Sequence, residues 1–268
     1  MAWQESYGEL DALRQRYAKP YGKAVAPVVT AIINDQTPAK RSRRKTCKIL
    51  TVGGGKGSFS RILLPEIREA LERIGNRTKV EVVETDLASV VAQAQGAKAR
   101  ASFEDLPFKK GSFDIVLAES SLQDKGRKEF THRLGEIARV LNPHGSLVNI
   151  ADHVPCGMGG THTASSRAGM IGLQLKALAA HQVFHQELQQ AAERTGFVAM
   201  TKEVTASVTV KPEETQNPSA SLHAYEYGIE QQTGGSGKLK ESMMRYSGFV
   251  TVATRDAKLF ERIARPRR

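Results

Sequence analysis

Apolar residues recur at helical spacing near the amino end of the chain. Residues 3–34 follow this pattern, with Pro20 as an interruption. The next stretch, residues 34–45, is polar and basic, a composition typical of a linker. We therefore expect residues 1–46 to form a helical lid and a basic linker.

The pattern then changes to short apolar runs that alternate with amphipathic stretches. The apolar runs lie at residues 48–52, 79–84, 113–118 and 146–151. The segments between them have the 3.6-residue periodicity of helices. This alternation predicts an α/β fold, with a doubly wound, mostly parallel sheet covered by helices on both faces.

The last third of the chain has a different organisation. A long helix is predicted over residues 174–195, and the β-rich segments 197–210 and 248–254 predict a hairpin at the edge of the sheet. Residues 211–240 between them are rich in Pro, Gly, Ser, Thr and Gln, which is typical of a long inserted loop. We expect residues 47–268 to form one domain that carries this loop.

The composition is that of an ordinary globular protein. Of the 268 residues, 40% are hydrophobic and 25% are charged. The sequence has no apolar run near the ~20 residues that cross a bilayer, and its first residues do not resemble a secretory signal. Cys47 and Cys156 stand far apart, without the pairing of a zinc or redox site. We expect a cytoplasmic protein without a membrane span.

The net charge of +11 allows two interpretations. Basic residues cluster at positions 40–48 and again at positions 265–268, and such clusters can attract RNA or another anionic partner. Alternatively, both are solvated segments that aid solubility. Neither cluster contains an aromatic residue that would stack on bases, which favours the second interpretation.

The first predicted strand ends in a glycine-rich turn. The residues are Gly53-Gly54-Gly55-Lys56-Gly57, followed by a predicted helix. Glycines let the backbone turn sharply and approach a ligand closely, and the start of a helix offers free N–H donors. The GxGxG spacing is tighter than the GxGxxG of dinucleotide sites, and it suits a nucleoside joined to an amino acid.

An acidic residue, Asp86, follows the second predicted strand. The carboxyl ends of neighbouring parallel strands form the crevice in which such sheets bind ligands, and a carboxylate there can accept hydrogen bonds from both ribose hydroxyls. A competing interpretation makes Asp86 the N-cap of a helix that begins near Ala88. The glycine turn that precedes it favours the ligand.

Three further segments follow in a characteristic order. They are Ala-Ser-Phe-Glu-Asp-Leu-Pro-Phe at 101–108, Gly-Ser-Phe-Asp-Ile-Val at 111–116 and Ala-Arg-Val-Leu-Asn-Pro-His-Gly-Ser-Leu at 138–147. With the glycine turn and Asp86, they resemble the class I S-adenosyl-L-methionine-dependent methyltransferases, especially the branch that includes quinone-biosynthesis C-methyltransferases. The resemblance covers residues 47–152. It implies a seven-stranded sheet with an antiparallel last strand, and S-adenosyl-L-methionine as the cofactor.

The same resemblance implies a set of cofactor-binding residues. The glycines of the turn would contact the methionine end of the cofactor, and Asp86 would contact the ribose. The full set is Thr51, Gly53, Gly55, Gly57, Asp86, Leu87, Ser102, Phe103, Glu119 and Ser120. Two positions depart from the family. Thr51 stands where an acidic residue usually contacts the amino group of the cofactor, and Ser102 stands where Asp or Asn is usual.

Methyl transfer from a sulfonium depends mainly on positioning, and a base is needed only for a poor nucleophile. Glu119 and His153 are weak candidates for that base. His181 and His185 lie four residues apart on a predicted helix, but no further ligands complete a metal site, and we expect none. Ala118 to Ser121 lack an Asn-Pro-Pro-Tyr type motif, which argues against transfer to the exocyclic amine of a base.

Three functions remain open at this point. The first is a methyltransferase that acts on a small molecule. The second, suggested by the net charge, methylates RNA or a ribosome-associated protein. The third, suggested by Thr51 and Ser102, is a binding protein that keeps the methyltransferase fold without catalysis.

Overall fold

The computed structural model describes residues 22–23, 25–36, 46–55, 57–87, 91–92, 94, 96–119, 122, 127–152, 186–210 and 242–264. The helices within these ranges are α1 (25–36), α2 (Ser58–Arg73), α3 (Arg127–Val140), α4 (186–194) and α5 (Ala257–Ala264). The strands are β1 (Thr46–Val52), β2 (Lys79–Asp86), β3 (Ala97–Arg100), β4 (Phe113–Glu119), β5 (Leu141–Asp152), β6 (Val198–Val210) and β7 (Ser242–Thr254).

The strands form one seven-stranded sheet in the order β3-β2-β1-β4-β5-β7-β6. The first five strands in this order are parallel, and β7 runs antiparallel to both β5 and β6. This arrangement confirms the doubly wound α/β prediction, the antiparallel last strand and the hairpin at the sheet edge.

Two apolar layers cover the two faces of the sheet. On one face, side chains of α1, α2 and α5 pack against alternate strand residues such as Ile49 and Ile115. On the other face, α3 and α4 pack against the intervening residues, among them Leu50 and Val116. This alternation is the consequence of the period-2 geometry of strands that are buried on both sides.

The helix α1 belongs to the first of these layers. Val25, Val29, Ile32 and Ile33 on it are fully buried against the sheet and α2. Residues 1–21, 24 and 37–45 of the predicted lid and linker lie outside the described residues, so the lid itself stays a prediction.

Two strands differ from their predicted form. The strand β3, which sequence periodicity did not indicate, has only four residues and is mostly exposed. The strand β5 begins earlier than expected, at Leu141, which pairs with Phe113, while Ser146 pairs with Ile115. Residues 142–145 lie between these two pairs and form an irregularity inside the strand.

The hairpin of β6 and β7 continues past the rest of the sheet. The last pair between β5 and β7 is Asp152 with Gly248, but β6 and β7 pair for six more residues, up to Val210 with Ser242. At about 3.4 Å per residue these pairs add about 20 Å. We call residues 205–210 and 242–247 the ribbon. It extends from the carboxyl edge of the parallel strands.

Candidate functional site

The glycine turn lies at the carboxyl end of β1 and leads into α2. The amides of Gly53 and Gly54 donate to the carbonyl of Thr85 at 3.0 and 3.2 Å, which fixes the turn to β2. Gly53, Gly55 and Gly57 have φ of 74°, 54° and 73°. Residues with a Cβ atom rarely adopt this left-handed conformation, so the turn requires glycine at these three positions.

Asp86 lies at the end of β2, directly beside this turn. Its Oδ2 accepts a hydrogen bond of 2.8 Å from the amide of Gly55. The sequence placed both residues in one site, and the structure brings them into contact. The capping alternative concerns residues 88–90, which lie outside the described part of the chain.

A second carboxylate, Glu84, lies beneath the turn, and the sequence analysis did not identify it. Glu84 pairs with Thr51 across β1 and β2, and both side chains are buried, with 4% and 0% of their surface exposed. The hydroxyl of Ser60 donates to Oε1 of Glu84. Among the described residues, neither Oε2 of Glu84 nor Oγ1 of Thr51 has a hydrogen-bond partner.

Burial raises the pKa of Glu84 above the usual value for a carboxyl group. The hydroxyls of Ser60 and Thr51 and the charge of Arg61 offset only part of this effect. The hydroxyl of Thr51 thus lies close enough to favour the ionised form of Glu84. The Thr51 hydroxyl and the Glu84 carboxylate do not, however, have the geometry of a hydrogen bond. One feature of the sequence could have identified Glu84: it alternates with Val80 and Val82, on the face of β2 that should be apolar.

The predicted adenine-edge residues Ser102 and Phe103 follow β3. The amide of Ala101 donates to the carbonyl of Asp86 at 3.1 Å, so this segment runs beside the end of β2. The hydroxyl of Ser102 donates to Glu104, and the guanidinium of Arg133 lies 5.2 Å from the ring centre of Phe103. Ser102 is therefore positioned by a contact within its own loop, and Phe103 by a contact with α3.

Glu104 is the centre of this arrangement. Arg133 on α3 donates from Nε to Oε1 of Glu104 at 2.9 Å. The hydrogen bond from Ser102 and the contact with Arg133 together lower the pKa of Glu104 to about 2. Arg139, six residues further along α3, donates to the carbonyls of Leu106 and Phe108 at 2.8 and 2.7 Å. Two arginines of one helix thus fix the segment beside Asp86.

The remaining predicted residues are described in part. Leu87 is 64% exposed, next to Asp86, where an apolar side chain is available to a ligand. Glu119 is the last residue of β4 and pairs with Ile150. Ser120, His153, His181 and His185 lie outside the described residues, as does the basic stretch 37–45. Within the described part of the chain, His, Cys, Asp and Glu form no group that would hold a metal ion.

A family model of a methyltransferase domain matches residues 50–149. The match begins in β1, ends in β5 and includes the glycine turn, Asp86, Glu104 and α3. Residues 50–149 therefore match a methyltransferase domain.

Solved structures with similar folds have low sequence identity. Loganic acid methyltransferase with S-adenosylhomocysteine is 12% identical, with 90% of this chain and 94% of that chain covered and a TM-score of 0.48. The YcgJ protein of Bacillus subtilis is 12% identical, with 84% and 97% covered and a TM-score of 0.47. A methyltransferase of Aquifex aeolicus is 15% identical, with 78% and 82% covered and a TM-score of 0.39. No curated protein matches the sequence.

Among the described helices, none is both long enough and apolar enough to cross a membrane.

Proposed function

We propose that this protein transfers a methyl group from S-adenosylmethionine to a small-molecule acceptor. The glycine turn would receive the methionine end of the cofactor, and Asp86 would receive the ribose. Leu87, Ser102 and Phe103 would border the adenine. Glu119, the last residue of β4, and Ser120, which follows it in the sequence, would lie toward the methyl group.

One observation favours a small acceptor over RNA. Three of the five parallel strands, β2, β4 and β5, end in an acidic residue: Asp86, Glu119 and Asp152. These ends share the edge of the sheet at which a methyl group would be transferred. Acidic residues at these chain positions do not favour a phosphate backbone as the acceptor, because RNA-binding surfaces are basic.

Of the two basic clusters, only Lys48 lies in the described part of the chain. Lys48, the last member of the first cluster, is exposed near the amino end of β1, four residues before the strand ends at Val52. At about 3.3 Å per residue, it is separated by about 13 Å along the strand from the glycine turn. The +11 net charge therefore does not require an anionic acceptor.

The test is methyl transfer from S-adenosylmethionine carrying a radioactive methyl group. Purified protein is incubated with three fractions of a cell extract: the ultrafiltrate, the RNA and the protein. We expect label in the ultrafiltrate. Label that ribonuclease or protease releases would support a macromolecular acceptor instead. Binding of S-adenosylhomocysteine without label in any fraction would favour a non-catalytic protein.

A further inference from the structure

Glu84 is buried in a place where a carboxylate is costly. It lies on the face of β2 that carries Val80 and Val82, under α2, with 4% of its surface exposed. Burial of a charged group destabilises a protein unless a partner compensates for it. Ser60 compensates at Oε1, but Oε2 has no hydrogen-bond partner among the described residues. A buried, unsatisfied carboxylate oxygen requires an explanation.

The position of this oxygen points to the glycine turn. A Cβ added to Gly54 would come within 2.6 Å of Oε2 of Glu84, and one added to Gly57 within 3.2 Å of Oε1. The carboxylate therefore lines the underside of the turn, and Gly54 must be glycine because Glu84 occupies the space of a side chain. Thr51 borders the same space with its methyl group, since its Cγ2 lies 3.0 Å from a Cβ added to Gly54. The hydroxyl of Thr51 is also buried and has no hydrogen-bond partner in the described part of the chain.

We propose that Glu84 binds the amino group of the methionine end of the cofactor, in place of the acidic residue that is absent at Thr51. The assignment rests on the proposed function. The methionine end carries a carboxylate and an ammonium group. Amides at the start of a helix suit the carboxylate, whereas Glu84 is an acceptor for the ammonium group, directly or through one water. Thr51 offers a second acceptor.

The pairing of β1 and β2 explains why the exchange is possible. Thr51 and Glu84 are partners in neighbouring parallel strands, and their side chains point to the same face of the sheet. Adjacent strands lie about 4.8 Å apart, and a glutamate is long enough to cover that distance. A carboxylate moved from one strand to the next still reaches the turn.

Two ligands distinguish a contact of Glu84 with the amino group from a general effect of Glu84 on the fold. S-adenosylhomocysteine carries the amino acid part, whereas 5′-methylthioadenosine has the same adenosine and sulfur without it. We expect Glu84→Gln to weaken S-adenosylhomocysteine by roughly 10- to 100-fold and to leave 5′-methylthioadenosine unchanged. The matched control is Glu81→Gln, which removes an acidic charge from a more exposed position of the same strand. It should affect neither ligand. Binding is measured by titration calorimetry.

An analogue of S-adenosylhomocysteine without the α-amino group completes the test. It should bind wild type and Glu84→Gln with equal affinity, because the partner of Glu84 is missing. Should Glu84→Gln fail to fold, Glu84→Asp is measured in the same way. This variant shortens the side chain by one methylene and so moves the carboxylate away from the turn. Equal losses for all three ligands, or no loss for any, would overturn the assignment to Glu84 alone. Failure of wild type to bind either S-adenosylhomocysteine or 5′-methylthioadenosine would overturn the proposed cofactor as well.

Discussion

At the scale of single residues, two glutamates near the same edge of the sheet have opposite electrostatic environments. Burial raises the pKa of Glu84, whereas Ser102 and Arg133 lower that of Glu104 to about 2. The sequence indicated the glycine turn and Asp86, because glycine spacing and a strand end are local signals. It did not indicate Glu84, since a polar residue at an apolar position of a strand contradicts the pattern that defines the strand.

The raised pKa of Glu84 predicts a gain in stability on neutralisation. A group that binds its proton more tightly in the folded state loses stabilisation as the pH rises from its unfolded pKa through its folded pKa. Once it is ionised, Glu84 therefore destabilises the ligand-free protein. Glu84→Gln, which keeps an acceptor for Ser60, should stabilise the ligand-free protein at pH 7.

Urea denaturation at pH 5 and pH 7 measures this effect. The advantage of Glu84→Gln should be smaller at pH 5, because wild type is then partly protonated. A destabilised variant at both pH values would show that the carboxylate is satisfied in the ligand-free protein, and Glu81→Gln again serves as the control.

Asp86 has two possible roles. It accepts a hydrogen bond from the amide of Gly55, and it is proposed to accept hydrogen bonds from the ribose hydroxyls. Asp86→Ala should weaken S-adenosylhomocysteine by roughly 5- to 150-fold, the cost of about 1–3 kcal/mol for an unpaired partner. Asp86→Asn, which keeps one acceptor oxygen, should weaken it less. An analogue without the two ribose hydroxyls distinguishes the two roles. If Asp86 only holds the turn, Asp86→Ala will weaken that analogue as much as the natural ligand.

At the scale of elements, the sequence predicted the strands that are long and periodic. It did not predict the features that are short or that depend on pairing with a neighbouring strand. The strands β1, β2 and β4 have buried apolar runs, and periodicity located them. The strand β3 has four mostly exposed residues, Ala97–Arg100, and it is a strand because β2 pairs with it. The irregularity at residues 142–145 likewise depends on the register with β4, which a single sequence does not encode locally.

The link between α3 and the adenine-edge segment predicts an acid-sensitive stability. Glu104 has a depressed pKa in the folded state, so its contribution is present above the unfolded value of about 4.5 and is lost as the pH falls toward about 2. Thermal unfolding between pH 5 and pH 2 should show this loss in wild type. Glu104→Gln should start less stable at pH 5 and lose less over the same range. Parallel curves for the two proteins would mean that Glu104 does not titrate in this interval.

At the scale of the whole molecule, the proposed cofactor site and the ribbon share one edge of the sheet. The glycine turn, Asp86 and the end of β4 lie at the carboxyl ends of the parallel strands. The ribbon continues from that edge, since its pairs begin where β5 ends at Asp152. The sequence predicted the hairpin but not its extension, because the extension is defined by the length of β5 and not by the hairpin itself.

This arrangement predicts that the ribbon serves the acceptor and not the cofactor. The six pairs beyond Gly248 are bonded to each other and not to β5, so their removal leaves the pairing of the sheet intact. We therefore expect a chain in which residues 205–247 are replaced by an Asn-Gly turn to fold and to bind S-adenosylhomocysteine with wild-type affinity. Methyl transfer to the labelled acceptor fraction should be lost. Unchanged transfer would assign acceptor recognition to the core of the fold, whereas lost cofactor binding would show that the ribbon also supports the glycine turn.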